Sequence, residues 1–169
     1  MLDAKGGFEI RNVSPDQYTF ALWSRSGKNA PYYLKRVECS GRDYAAQPVE
    51  LSLGLRLDCD VTVGEDAATV TGRVGDGGAA VPGWVVAAIP QQPELRRLPR
   101  YTLAATTDRE GKFQIAGLVP GAYYLFAVPP SEDQGYFALD FAERHLTEAT
   151  RVSLKPFDTL AVELQRLNR

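Results

Sequence analysis

The stretch DREGKFQIAGLVPGAY, residues 108–123, decides the fold of this chain. Asp108 and Gly111 have the spacing of a tight reversal, because glycine accepts the positive φ that most residues avoid. Phe113 and Ile115 then alternate with polar residues, which is the pattern of a strand with one buried face. The stretch therefore predicts one arm of a β-hairpin in a β-protein.

The end of the same stretch predicts a second reversal. Pro120 has a fixed φ and Gly121 a permissive one, and Tyr123 follows two residues later. We expect the Tyr123 ring to be buried at the edge of a sandwich, with its hydroxyl in a hydrogen bond.

A second copy of this pattern, DAKGGFEIRNVSPDQY, occupies residues 3–18. At a constant offset of 105 residues it aligns Asp3 with Asp108, Gly6 with Gly111, Phe8 with Phe113, Ile10 with Ile115, Pro15 with Pro120 and Tyr18 with Tyr123. LRLDCDV from residue 55 meets LAVELQR from residue 160 at the same offset, and PVELSL meets RVSLKP with a shift of two residues. Residues 66–107 have no upstream counterpart, so we expect a module-sized repeat whose first copy lacks its front.

Strand signals dominate the complete copy, because short alternating runs are separated by Gly, Pro, Asp and Asn. The predicted strands are 68–74, 84–90, 101–107, 112–118, 123–129, 151–155 and 159–167. A further strand is predicted at 55–63, with Leu55, Leu57, Cys59, Val61 and Val63 on its buried face. Two stretches favour a helix or an irregular crossover, DYAAQPVEL at 43–51 and FALDFAERHLTEA at 137–149.

Residues 68–129 resemble the carboxypeptidase regulatory-like domain, a transthyretin-like or prealbumin-like β-sandwich. The resemblance is carried by Gly72 and Val74, by VPG at 81–83, and by TTDREGKFQIAGLVPGAYYLFA at 106–127. The expected fold is all-β, with two consecutive transthyretin-like seven-strand β-sandwich modules of which the first is incomplete at its N-terminus. The rear part of the first module is assigned to 1–63 and the complete module to 67–169, joined by so short a linker that a stiff rod is expected.

The resemblance implies an accessory module of an exported bacterial protein, located in the periplasm, at the cell surface or outside the cell. The chain begins without the basic and apolar regions of a secretion signal. Its net charge of −2 gives no electrostatic reason to expect nucleic acid as a partner, and no apolar run is long enough to cross a membrane. The expected partners are other domains of the parent protein or another protein chain, with a glycan as a further candidate.

No catalytic chemistry is predicted from the residues. The chain has one histidine, His145, and we expect it to lie on the surface in a loop. A metal centre or a nucleophile with a histidine base needs more converging ligands or partners than this, so no enzyme activity, cofactor or metal is expected. The leading interpretation is a non-catalytic spacer or docking module, and the alternatives are a carbohydrate- or peptide-binding module and a subunit that assembles by strand exchange.

Two further sets of residues are singled out as candidates. Trp23, Tyr136 and Phe137 are the aromatic candidates for contact with a ligand, because Trp23 breaks the apolar alternation and the other two lie in a long connection. The alternative for all three is packing in the core or at a sheet edge. Cys39 and Cys59 are both expected to point into the first module's core, where they form either a disulfide or two buried thiols.

Overall fold

The computed structural model describes residues 6–22, 31–77, 79–130 and 135–167 of an all-β protein. Its strands are β1 (Asp16–Tyr18), β2 (Tyr33–Cys39), β3 (Arg42–Asp43), β4 (Val49–Leu51), β5 (Cys59–Gly64), β6 (Ala68–Asp76), β7 (Ala79–Ala80), β8 (Val85–Pro90), β9 (Leu103–Thr106), β10 (Lys112–Leu118), β11 (Gly121–Val128), β12 (Thr150–Leu154) and β13 (Thr159–Gln165). The short helices are α1 (Pro93–Arg96) and α2 (Phe141–Arg144), with 3-10 turns at Pro99–Tyr101 and Gly135–Phe137. Among the described residues, no helix has the length and apolar character to cross a bilayer.

The described residues 68–167, the C-terminal region, form two four-stranded sheets around one core. One sheet has the order β10-β6-β13 with β7 beside β6, and the other has the order β12-β11-β8-β9. Their inner faces share a core of buried side chains that includes Val70, Ile115 and Leu164 from the first sheet and Val86 and Leu125 from the second. Successive side chains of a strand point to opposite faces of its sheet, which places these residues on the inner faces.

The β8–β11 sheet is buried on its outer face as well. Ala87, Ile89 and Phe126 lie on that face and pack against Tyr136 and Phe141 from the connection that leads to β12. The VVAAIP sequence of β8 is accordingly a continuous apolar run, as expected for a strand covered on both sides.

The described residues 6–64, the N-terminal region, form two smaller sheets. β1 pairs with β4, and β2 lies between β3 and β5. Leu34, Val37, Cys39 and Ala45 are buried in a core of their own. Cys39 lies opposite Cys59 in the β2–β5 register, and the two sulfur atoms form a disulfide across 2.07 Å.

The repeat read from the sequence has counterparts in backbone geometry. The hydroxyl of Tyr18 donates to the carbonyl of Ser14, and the hydroxyl of Tyr123 donates to the carbonyl of Val119, both across 2.9 Å. Tyr18 pairs with Val49 between β1 and β4, as Tyr123 pairs with Val152 between β11 and β12. Tyr123 follows Tyr18 by 105 residues, and Val152 follows Val49 by 103 residues. These are the two offsets found in the sequence alignment.

Three local expectations differ from the structure. The stretch 43–51 is a turn followed by β4 rather than a helix, because the Asp43 carboxylate accepts hydrogen bonds from the backbone N–H groups of Val37 and Ala45. The strand expected from residue 55 begins at Cys59. The strand expected from residue 101 begins at Leu103, since Pro99–Tyr101 forms a 3-10 turn.

The expectation of a fully buried face along 55–63 was also wrong. Leu57, Cys59 and Val61 pack against the N-terminal core, but Leu55 and Val63 are exposed. The physical reason is that, within the described residues, no strand pairs with 55–58 and nothing covers Leu55. The seven strands expected for 67–169 each overlap an observed strand.

Candidate binding site between the two regions

The junction between the regions is held by the side chain of Tyr33. β5 ends at Gly64, which pairs with Tyr33 in the β2–β5 register, and the Tyr33 ring lies so close that a Cβ on Gly64 would be 2.4 Å from its Cζ. The Tyr33 hydroxyl donates to Oδ1 of Asp66 across 2.9 Å, and Nζ of Lys35 lies 3.9 Å from the same oxygen. A glycine is therefore required at position 64, and the chain between β5 and β6 is anchored to β2.

Two further hydrogen bonds join the regions. Nη1 of Arg100 donates to the carbonyl of Phe20 across 2.7 Å. The hydroxyl of Tyr101 donates to the carbonyl of Ala45 across 3.3 Å. Both donors belong to the 3-10 turn that precedes β9, so this turn contacts the segment that follows β1 and the β3–β4 connection.

A cavity of about 480 Å³ lies where these contacts meet. Its wall includes Phe20 and Tyr33 from the N-terminal region and Leu98, Arg100, Leu118 and Phe137 from the C-terminal region. This volume lies in the range of about 300–1,000 Å³ that is usual for small-molecule sites. The position of the cavity, between two packed regions, is also typical of such sites.

Arg100 is the one charged residue in the described wall of the cavity. Its guanidinium carbon lies 4.8 Å from the centroid of the Tyr101 ring, a cation–π arrangement. Nε and Nη2 are buried and have no hydrogen-bond partner. Arg100 therefore brings an unpaired positive charge to an otherwise uncharged surface.

Tyr33 and Tyr123 of the cavity wall stay neutral over the physiological pH range, because the pKa of each hydroxyl is raised. Burial, with the hydrogen bond to Asp66 as a second cause, raises the pKa of Tyr33 to about 12. Burial also raises the pKa of Tyr123 well above its usual value. Because both hydroxyl protons are already donated, to Asp66 and to Val119, neither side chain offers a free donor to a ligand.

The aromatic residues predicted to contact a ligand have separate positions. Trp23 lies outside the described residues. Tyr136 is buried at 7% exposure in the core between the β8–β11 sheet and α2, so it has the core-packing role that was the alternative to ligand contact. Phe137 is 41% exposed and lies in the cavity wall. The 3-10 turn explains the difference, because successive residues of a turn point in different directions.

The predicted turn residues take the following geometry. Oδ1 of Asp108 accepts from the N–H groups of Glu110 and Lys112, and Gly111 has a φ of 74°. Val119 and Pro120 connect β10 to β11, and Gly121 is the first residue of β11. Tyr123 is buried in the core of the C-terminal region and donates its hydroxyl proton to the carbonyl of Val119.

His145 follows α2 and is partly buried rather than fully at the surface. Its ring centroid lies 4.7 Å from that of Phe141, and Nδ1 lies 3.4 Å from a carboxylate oxygen of Glu148. In the described parts of the chain, no three His, Cys, Asp or Glu side chains converge to hold a metal ion.

Sequence reasoning missed the residues that build the cavity. Arg100 and Tyr101 lie in LPRYT, where the sequence predicts only the start of a strand at residue 101 and no motif marks a binding site. A weak signal existed in Pro99, which precedes an arginine and a tyrosine and fixes the first φ of a 3-10 turn.

No protein-family model and no curated protein matches the chain. Solved structures with some similarity include a DUF3823 family protein from Bacteroides ovatus, with 15% identity, a TM-score of 0.36 and coverage of 59% of this chain and 42% of the other. The Bacillus anthracis TIE protein has 14% identity and a TM-score of 0.40, over 70% of this chain and 20% of the other. GBS52, the minor pilin of Streptococcus agalactiae, has 13% identity and a TM-score of 0.33, over 70% and 57%. The chain spans less than two thirds of each of these proteins.

Proposed function

We propose that this protein is a non-catalytic structural or interaction module, a spacer or docking domain of an exported bacterial protein. The observation that carries the proposal is the anchored junction, where Tyr33 covers Gly64 and bonds to Asp66. Three residues separate β5 from β6, and a linker this short and this well contacted transmits orientation from one region to the other. We assign the rear part of one sandwich repeat to 1–63 and a complete carboxypeptidase regulatory-like sandwich to 67–169.

Export is supported by the cysteines. A disulfide between β2 and β5 is stable in an oxidising compartment and rare in the reducing cytosol. The periplasm, the cell surface and the extracellular space all meet that condition. The resemblance of 68–129 to the carboxypeptidase regulatory-like domain implies the same compartments. We propose the other domains of the parent protein, or another protein chain, as the partners.

The spacer proposal is tested by the rotational motion of the two regions. In ¹⁵N relaxation measurements, we expect one rotational correlation time for β2 and β5 and for β8 and β11. Tyr33→Ala removes both the packing on Gly64 and the hydrogen bond to Asp66, so it should give the regions separate, shorter correlation times. Leu53→Ala is the control, since Leu53 is 89% exposed, lies outside the cavity wall and should leave the shared value unchanged.

Two outcomes would contradict this proposal. Independent tumbling of the two regions in the unmodified protein would show that the junction is not rigid. A reproducible enzymatic turnover that is lost on substitution of a residue of this chain would remove the non-catalytic assignment.

A second candidate function is assembly by strand addition, because one segment has the pattern of a strand without a partner. Phe8 is 44% exposed and Ile10 is 69% exposed. Their repeat equivalents, Phe113 and Ile115, are 6% and 0% exposed, because β10 pairs with β6 and faces the core. Within the described residues, no strand pairs with 8–13. An extended segment from another chain that paired here as β6 pairs with β10 would cover Phe8 and Ile10.

Sedimentation velocity tests this second candidate. If strands are exchanged, the protein forms dimers or larger assemblies as its concentration rises, and Ile10→Lys prevents them by placing a charge in the strand interface. Leu139→Lys is the control, because Leu139 is also exposed but lies in the C-terminal region. A monomer at every concentration would argue against strand exchange and would leave the spacer proposal intact.

The carbohydrate-binding alternative has less support than either of these. Tyr136 is buried, and the hydroxyls of Tyr33, Tyr101 and Tyr123 all donate to protein acceptors. A sugar needs several free polar groups beside an aromatic platform, and the described wall of the cavity offers mainly apolar surface.

A further inference from the structure

Residues 8–13 share two exceptional backbone positions with β10. Gly6 and Asn12 have positive φ values of 80° and 58°, and their repeat equivalents, Gly111 and Gly117, have values of 74° and 80°. A positive φ is uncommon outside glycine, and asparagine is one of the few other residues that adopt it readily. The first copy therefore keeps the backbone geometry at both ends of the strand, although in the described chain only β10 has a strand beside it.

The second of these positions lies in a β-bulge of β10. The pairing with β6 passes from Ile115 and Val70 to Leu118 and Ala68, so β10 has one residue more than β6 over this step. A bulge fixes the register of a strand pair. The positive φ of Asn12 reproduces this feature in the first copy, so residues 8–13 are shaped to receive a strand in one register.

Three apolar side chains mark the face of this segment that a partner strand would cover. Phe8, Ile10 and Val13 are 44%, 69% and 37% exposed. The equivalent of Val13 is Leu118, which is only 1% exposed in the core behind β10. Removal of this apolar surface from water favours the addition of a strand.

β6 shows which residues a donor strand needs. Phe113 pairs with Gly72, and a Cβ at Gly72 would lie 3.0 Å from two atoms of the Phe113 ring. Ile115 pairs with Val70, a β-branched residue with 0% exposure. The donor for the first copy should therefore carry glycine opposite the phenylalanine and a β-branched residue opposite the isoleucine, in an antiparallel strand.

The β6 strand of a second copy is a poor source of this donor. It lies between β10 and β13 of its own molecule, and its Val70 is fully buried. Its release would break both pairings and open the core, whereas a disordered segment of another protein loses only its own conformational freedom when it binds. A different protein chain is therefore the favoured donor.

We propose that residues 8–13 are a preformed acceptor strand for a β6-like segment of a different protein chain, which adds antiparallel with glycine opposite Phe8 and a β-branched residue opposite Ile10. Main-chain hydrogen bonds supply affinity in this mode of binding, and the alternate side chains supply specificity. The assignment rests on the strand-addition function proposed above, and it adds the direction, the register and the source of the strand.

Titration of the ¹⁵N-labelled full chain with a synthetic peptide of residues 67–76, AATVTGRVGD, tests the assignment. We expect saturable shifts of the backbone amide signals of residues 8–13. Nuclear Overhauser contacts should join Phe8 to Gly72 of the peptide, and Ile10 to Val70 of the peptide. A peptide with Gly72→Val should bind about tenfold more weakly, because the larger side chain meets the Phe8 ring.

Variants at Asn12 test whether the acceptor strand is preformed. A β-branched residue resists positive φ and glycine accepts it, so Asn12→Val should weaken peptide binding about tenfold, while Asn12→Gly should stay within about twofold of the unmodified protein. Asn12 is exposed, so neither change removes buried packing. Ile10→Lys should abolish binding, and the exposed control Leu139→Lys should leave it unchanged.

Several outcomes would overturn the proposal: no saturable shifts in residues 8–13, shifts centred on β10, equal binding of the two peptides, or unchanged binding by Asn12→Val. Dimers that depend on Ile10, with no binding of the peptide, would keep strand exchange between copies as the function and reject the donor assigned here. A monomer that binds the peptide would reject exchange between copies and support a different chain as the donor.

Discussion

The hydroxyl of Tyr33 donates a hydrogen bond to Oδ1 of Asp66 across 2.9 Å, and this bond links β2 to the chain between β5 and β6. The ring of the same tyrosine covers Gly64. One side chain thus supplies both a packing contact and a polar contact to the junction, and variants of Tyr33 separate the two.

Tyr33→Phe should cost about 1 kcal/mol in the free energy of unfolding, because it removes a partly buried hydrogen bond and keeps the ring. Tyr33→Ala should cost more, since the ring is lost as well. Urea denaturation followed by circular dichroism measures both values. Equal losses in the two variants would show that the packing on Gly64 contributes nothing.

The contribution of Tyr33 to stability should depend on pH in the alkaline range. Burial and the bond to Asp66 raise its pKa from 10.0 to about 12, so the neutral phenol is favoured in the folded state. Its contribution is therefore complete below pH 10 and is lost as the pH rises towards 12. The difference in unfolding free energy between the unmodified protein and Tyr33→Phe should shrink between pH 9 and pH 12. A constant difference would contradict the assignment.

Of the two β6 glycines Gly72 and Gly75, Gly72 should tolerate a side chain less. A Cβ at this position would lie 2.1 Å from the carbonyl oxygen of Val162 in β13 and 3.0 Å from the Phe113 ring. Gly72→Ala should therefore destabilise the protein by about 1–3 kcal/mol through overpacking. Gly75→Ala is the control from the same strand, with its closest atom at 3.7 Å, and should change stability by less than about 0.5 kcal/mol.

The repeated tyrosine bond should matter differently in its two copies. Tyr123 is buried, so Tyr123→Phe leaves the Val119 carbonyl without its donor and should cost about 1–2 kcal/mol. Tyr18 makes the same bond to Ser14 at an exposed site, where water replaces the lost donor, and Tyr18→Phe should cost less than about 0.5 kcal/mol. Thermal unfolding of the two variants measures the contrast, and similar losses would contradict it.

Loss of the Cys39–Cys59 disulfide should destabilise the N-terminal region. The bond closes a loop with a sequence separation of 20 residues, for which the chain-entropy model predicts about 3 kcal/mol. In the double variant Cys39→Ala/Cys59→Ala, hydrogen exchange should accelerate in β2 and β5 and stay slow in β8 and β11. Alkylation of both cysteines without a reductant would show that the bond is absent.

Much of the C-terminal region was predictable because its strands have clear local signals. Alternation at Phe113 and Ile115 and the Asp108 turn each act over a few residues, and both are satisfied by the geometry observed there. The β-hairpin expected at that turn was wrong, because β9 pairs with β8 while β10 pairs with β6 in the other sheet. The offset of 105 residues also predicted which tyrosines share a local bond, since Tyr18 and Tyr123 both bond four residues back.

The cavity was not predictable, because its residues meet only through tertiary packing. Arg100 and Phe20 are separated by 80 residues, and neither lies in a pattern that anticipates the contact. Tyr136 was misread for a related reason: its sequence is that of a loop, and its burial depends on the outer face of a sheet that includes Phe126. Exposure of Leu55 could not be foreseen either, since alternation predicts a covered face and cannot say whether a covering element exists.

The position of β6 has a consequence for synthesis of the chain. β6 is the first strand of the C-terminal region, and it pairs in parallel with β13, the last strand of that region. Thr69 therefore pairs with a residue, Thr159, that lies 90 residues later in the sequence. The low-separation pairing of β8 with β9 can form early, but β6 lacks its parallel partner until β13 has been synthesised. A nascent chain thus exposes this edge of β6 until residues 159–165 arrive, and rapid pairing then limits aggregation.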